Sequence, residues 1–182
     1  MGGIWLITGT PGVGKSTIVS RIVLRMKAKG MIVGGCLTAE VREKGERVGF
    51  EIRDLTSERR GRLATVKGKL GPRVGKYRVN LQDLAIIGAK GLEQAAESSE
   101  LIVIDEVGPM ELVSPEFRRG VKACIDSGKP MLAVIHLRLE DDLLNELKSK
   151  ARKTFEVEIN NRDEVEQELL AEMEREVRPG GP

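Results

Sequence analysis

Residues 9–17 read Gly-Thr-Pro-Gly-Val-Gly-Lys-Ser-Thr, and no other stretch limits so sharply what the chain can fold into. The run fits G-x-x-x-x-G-K-[ST], a loop that turns from a buried strand into the N-terminus of a helix and cradles phosphate with its backbone N–H groups. Both flanks agree. Residues 4–7 (Ile-Trp-Leu-Ile) are an apolar run of strand length, and Ile18, Val19, Ile22, Val23 and Met26 recur at helical spacing up to Gly30, a C-cap residue. The orphan N–H groups and the positive end of the helix dipole therefore converge on one spot, suited to a polyphosphate. Gly9, Gly12 and Gly14 let the backbone approach without a Cβ in the way. Thr10, Pro11 and Val13 fill the variable positions. Lys15 is expected to reach the outer phosphates and the Ser16 hydroxyl to hold Mg²⁺, with Thr17 as a flanking hydroxyl.

The rest of the chain reads mostly as strand then helix. A second strand begins at residues 31–33, and Gly34-Gly35 marks a bulge or close backbone approach. The rhythm then changes. Residues 40–43 and 48–53 alternate about Lys44-Gly45, as a β-hairpin does, and residues 63–66 and 77–79 suggest further short strands around a Gly/Pro-rich turn at 68–75. A helix is expected over 81–98, with Leu84, Ile87, Gly88, Leu92 and Ala95 on one face. Strands follow at 101–104 and 131–135, with a helix between them capped by Ser114 and Pro115. Then come a helix over 141–151, an alternating edge strand at 155–159, and a charged amphipathic helix over 163–177. Apolar strands separated by helices imply an α/β fold with a mostly parallel sheet flanked by helices. The expected layout is one domain over 1–178, with a β-hairpin insertion at about 38–80 and a loose tail at 179–182.

The second chemical signal is the strand at 101–104 (Leu-Ile-Val-Ile) ending in Asp105 and Glu106. Four apolar residues closing on an acid describe a Walker B strand, whose acid emerges at the carboxyl end of the sheet, where ligands bind in this architecture. Asp105 is expected to serve Mg²⁺ together with Ser16. Glu106, next in sequence, is placed to orient and deprotonate a water. Asn160-Asn161-Arg162-Asp163 carries an Asn and an Asp at the spacing of a guanine-reading N-K-x-D but lacks its Lys. Two readings of this stretch stand side by side: Asn161 and Arg162 serve the base, or Asn161 caps the helix. His136 is the sole histidine. If its strand lies between the P-loop strand and the Walker B strand, it faces the outermost phosphate. Arg42, Arg47 and Arg53 of the hairpin are candidates to reach phosphates, since Arg presents forked donors.

Composition narrows the function. The chain has 182 residues with 30 basic and 28 acidic side chains, net +2, and its five aromatic residues (Trp5, Phe50, Tyr77, Phe117, Phe155) are scattered. A nucleic-acid-acting ATP-driven module needs a basic stripe interleaved with aromatics, and none is visible. Cys36 and Cys124 lie in apolar stretches and read as buried thiols. With no signal peptide and no apolar run of spanning length, the cytoplasm is the expected compartment. The sequence carries no signal for an oligomeric state.

Several motifs together resemble the THEP family of nucleoside-triphosphatases, the group that includes the cancer-related nucleoside-triphosphatase. They are the P-loop; residues 38–43 (Thr-Ala-Glu-Val-Arg-Glu) with Gly45, Arg47, Gly49 and Phe50; residues 58–61 (Glu-Arg-Arg-Gly) with Leu63 and Ala64; residues 74–77 (Val-Gly-Lys-Tyr); residues 104–112 (Ile-Asp-Glu-Val-Gly-Pro-Met-Glu-Leu); and Asn161-Arg162-Asp163. The resemblance spans residue 4 to about 165, and the Asp-Glu-x-Gly-x-Met-Glu-Leu run is its most specific part. It implies a RecA-like P-loop core and Mg²⁺-dependent hydrolysis of ATP, GTP and other nucleoside triphosphates to the diphosphate and phosphate. One departure is Pro109, where the family leads one to expect Lys. The rival reading is a nucleotide or small-molecule kinase, which uses the same cradle but also needs an acceptor pocket and an Arg-rich lid; the sequence shows no clear lid.

Overall fold

The computed structural model describes residues 1–177; the tail expected at 179–182 lies outside them. Along the chain run β1 (Ile4–Thr8), α1 (Lys15–Ala28), β2 (Val33–Glu43), β3 (Glu46–Asp54), β4 (Arg60–Thr65), β5 (Arg73–Val74) and β6 (Tyr77–Val79). Then α2 (Leu81–Asp83) leads through a π-helical stretch (Leu84–Ala89) into α3 (Lys90–Ser98), followed by β7 (Leu101–Val107), α4 (Pro115–Asp126), β8 (Met131–Ile135), α5 (Asp142–Lys150), β9 (Lys153–Glu156) and α6 (Arg162–Glu176). The helix expected at 81–98 is thus interrupted by a π-helical stretch. Side chains start three of the helices as caps: Asn80 accepts from the Asp83 N–H, Ser114 from Phe117 and Asp141 from Leu143.

The nine strands among the described residues join one sheet in the order β5-β6-β4-β3-β2-β7-β8-β1-β9. β2, β7, β8, β1 and β9 are parallel to their neighbours in that series, and the pairs β2–β3, β3–β4, β4–β6 and β6–β5 are antiparallel. The central strands are apolar up to their carboxyl ends because both faces are covered. Alternate residues separate into two layers. Trp5, Ile7, Val103 and Val134 meet Ile18 and Ile22 of α1 and Leu169 and Met173 of α6. Leu6, Ile102, Ile104 and Ala133 meet Leu92, Phe117 and Leu144 on the opposite face. Cys36 and Cys124 are free and buried, as expected. Among the described residues no helix is long and apolar enough to cross a membrane.

The expected hairpin forms from β2 and β3 and is continuous with the sheet: β2 is one strand whose residues 33–37 pair in parallel with β7 and whose residues 36–43 pair antiparallel with β3. Gly35 makes this continuity possible. Its φ is 111, and a Cβ there would strike the Val103 carbonyl on the neighbouring strand. The edge strand ends at Glu156 instead of running from 155 to 159, because its pairing with β1 stops at Thr8↔Glu156. Beyond that, the Asn161 side chain ties the chain into a turn. It accepts from the Glu158 N–H at 2.8 Å and donates to the Glu156 carbonyl at 3.0 Å.

Candidate active site

β1 delivers the P-loop to the carboxyl edge of the sheet, and α1 begins at Lys15 with Gly14 as its N-cap residue, φ 112, and no side-chain cap. The first-turn N–H groups therefore have no side-chain acceptor and remain available to an anion. Gly14 is required twice over: its backbone is left-handed, and a Cβ would lie 2.8 Å from Cδ of Arg162. The Lys15 ammonium donates to the carbonyls of Gly9 at 2.8 Å and Thr10 at 2.9 Å, which folds the loop around its own cation. Val13 turns inward and is buried with the α1 layer. Pro11, Gly12, Gly14, Lys15, Ser16 and Thr17 line a cleft of about 910 Å³, and Gly9 and Thr10 are not among its lining residues.

β7 brings the acids to the same place. Asp105 is 2% exposed. Burial pushes its carboxyl up to about 7, and the Glu106 charge adds to this, while a hydrogen bond with Ser16 and the charge of Lys15 oppose it. Glu106 lines the cleft, and burial raises it too, against the pull of Lys15 and His136. Glu111 accepts from the Gly108 N–H at 3.2 Å and is pushed up to about 8, first by burial and then by Glu106. β8 does lie between β1 and β7, so His136 at its end enters the cleft between the P-loop and Glu106. Its Nδ1 accepts from the Arg138 N–H at 3.3 Å.

The donors here are hard oxygens: one hydroxyl on Ser16 and one buried carboxylate on Asp105, in contact with each other. Among the described residues no cluster of three or more His, Cys, Asp or Glu side chains is arranged to hold a metal by itself. That set fits Mg²⁺, which is held by one or two protein ligands and completed by phosphate and water. It does not fit zinc.

Residues 5–170 match the protein family described as NTPase. The chain is 43% identical over 171 residues to the nucleoside-triphosphatase THEP1 of Thermofilum pendens, covering 93% of this chain and 94% of that one. It is 46% identical over 167 residues to the protein of the same name from Methanosarcina acetivorans, covering 90% and 92%. Its fold is similar to the crystal structure of THEP1 from the hyperthermophile Aquifex aeolicus, with TM-score 0.83, 32% identity, and 94% and 99% of the two chains covered. The chain belongs to the THEP1 family of P-loop NTPases.

The other candidate residues divide. Arg162 packs against the P-loop at Gly14 and donates to the Ile159 carbonyl at 3.2 Å. Asn161 precedes α6 without capping it through its side chain; instead it fastens the β9–α6 turn. Arg42 and Arg47 line the cleft, whereas Arg53 pairs with Glu58 and is not among its lining residues. Pro109 also lines it. Sequence reasoning did not foresee the far end of the THEP1-type cleft, where Phe50, Leu63, Val74 and Tyr77 meet Met110. Their signal was present as alternation in β3 and the small turn around β5 and β6, but nothing local shows that these strands line the same cleft as the P-loop.

Proposed function

We infer that the chain hydrolyses nucleoside triphosphates to the diphosphate and phosphate, using Mg²⁺, in the cytoplasm, through one domain spanning 1–178. The observation that carries this reading is the convergence of Lys15, Ser16 and Glu106 on one cleft, with Asp105 buried and hydrogen-bonded to Ser16, in a chain of the THEP1 family.

The backbone of residues 9–14 and the first turn of α1 cradle the phosphates. Lys15 leaves its loop carbonyls and offsets charge on the outer phosphates as the bond to the leaving diphosphate lengthens. Ser16 and Asp105 are the residues that would hold Mg²⁺, with Thr17 flanking them. When bound, Mg²⁺ neutralises charge that builds on the phosphoryl oxygens. Glu106 orients a water toward the γ-phosphorus and takes its proton as the water oxygen bonds and the bridging oxygen departs. His136 stands beside that water and fixes its approach. Asn161 and Arg162 form the base side, where a turn without the guanine-reading Lys exerts little selection. ATP, GTP, CTP and UTP are therefore all substrates.

Phosphate release from these four triphosphates, with and without Mg²⁺, tests the reading. Rates within about one to two orders of magnitude of each other are expected where phosphate contacts outweigh base contacts. A preference of thousands-fold for one base, or full activity in EDTA, contradicts it.

A further inference from the structure

The cleft is longer than phosphate hydrolysis needs. At about 910 Å³ it stands near the top of the roughly 300–1,000 Å³ range of small-molecule sites. It runs along the carboxyl edge of the sheet, from the P-loop past His136 and Glu106 to strands β2, β3, β4 and β6. If the outermost phosphate faces Glu106, as the hydrolytic reading requires, the nucleoside leaves on the β1–β9 side, and the far end lies across the γ-phosphoryl group from it.

That far end has its own character. Phe50 and Tyr77 pack edge to face with ring centres 5.2 Å apart, so two of the chain's five aromatic residues are gathered here. Leu63, Val74 and Met110 complete an apolar wall. The Arg47 guanidinium lies 5.3 Å from the Phe50 ring centre and donates from Nε to the Tyr77 hydroxyl at 2.9 Å. Glu40 accepts from Arg47 at 2.8 Å and from Arg42 at 2.7 Å, so two cations share one acid. An aromatic wall rimmed by a surplus cation suits a flat ring that carries negative charge.

We propose that this end is an acceptor site: it binds a planar ring bearing an anionic group, alongside the nucleoside triphosphate, and places an oxygen of that ligand where water otherwise attacks. The acceptor oxygen bonds to the γ-phosphorus, the bond from that phosphorus to the bridging oxygen breaks, and the diphosphate leaves with the electron pair. Any proton on the acceptor oxygen passes to Glu106. The proposal rests on the hydrolytic reading for the direction in which the triphosphate lies.

The test uses the full chain with [γ-³²P]ATP and Mg²⁺. One arm adds AMP, GMP, CMP or UMP; the other adds 4-hydroxybenzoate, an aromatic anion without phosphate. Label should move to a probe, with saturation, in at least one arm, and the arm identifies which anion the arginines accept. Calorimetry on protein saturated with a non-hydrolysable ATP analogue should show the same probe binding to a second site. Val74→Trp, which fills the pocket, and Phe50→Ala, which removes half the aromatic wall, should each lower the ratio of transfer to phosphate release at least tenfold. Phosphate release without transfer in either arm overturns the acceptor site and leaves hydrolysis standing. So does a probe that binds only by displacing the ATP analogue, or a transfer ratio that neither variant changes. Loss of both release and transfer in the wild type overturns the hydrolytic reading as well.

Discussion

The parallel and antiparallel halves of the sheet are built on different terms. In the parallel half, Leu101, Ile102, Val103 and Ile104 are all fully buried, because helices cover both faces. The strand ends hold Asp105 buried and present the half-buried Glu106 and His136 to the cleft. In the antiparallel half, residues alternate. Ile52, Leu63 and Val79 join Leu84 and Ile87 of the π-helical stretch, while charge pairs such as Arg60–Glu51 and Lys67–Glu43 remain exposed. On the readings proposed above, the first half carries the machinery for breaking a phosphate bond, and the second carries the acceptor surface. A half with both faces covered tolerates little change, whereas a half with one solvated face can vary what it recognises.

The sharpest way to break this division is chemical. Glu106→Gln should cut turnover by about 10²–10⁴-fold, the usual worth of a positioned base, with triphosphate affinity near normal. Lys15→Ala should cost about 10²–10³-fold in turnover, as for other removed electrostatic donors, with an unchanged circular dichroism spectrum. Phosphate release and a fluorescent triphosphate read both. Equal loss of binding and turnover in Glu106→Gln moves that residue to the metal site and makes Glu111 the next candidate base.

Stability should separate the halves less steeply. Phe117 of α4 is fully buried against the parallel half, so Phe117→Ala should cost about 3–5 kcal/mol in urea unfolding. Phe50 is only half-buried, and Phe50→Ala should cost about 1–2 kcal/mol, in keeping with its smaller buried area. Equal costs would mean that the antiparallel half is as tightly built as the core.

The smallest effect is electrostatic. Arg118 donates to both carboxylate oxygens of Asp141, at 2.8 and 3.1 Å, and holds that carboxyl below its usual value. The pair's stabilisation is therefore present above the unfolded value near about pH 3.9 and is lost as pH falls through the lower folded value. Asp141→Asn keeps the helix cap and removes the charge. It should cost about 0.5–1 kcal/mol at pH 7, and that cost should fade as pH falls through the lowered folded value. A cost that persists in acid assigns the effect to the cap instead.

Local pattern alone determined much of this protein. The P-loop, the buried strands, the cap at Ser114 and the acids at residues 105 and 106 were legible because each rests on contacts within a few residues, where period and side-chain chemistry decide the outcome. The same holds for the family resemblance, which the comparisons bear out. What only the tertiary structure decided was adjacency. The position of β8 between β1 and β7 brings His136 to the cleft. The close approach at Gly35 carries β2 from the parallel core into the hairpin, and the order of the antiparallel strands brings Arg47 and Phe50 of β3 and Tyr77 of β6 to the cleft that Lys15 lines. Strand order and sheet curvature depend on how distant segments share one buried surface, and no window of sequence contains both partners.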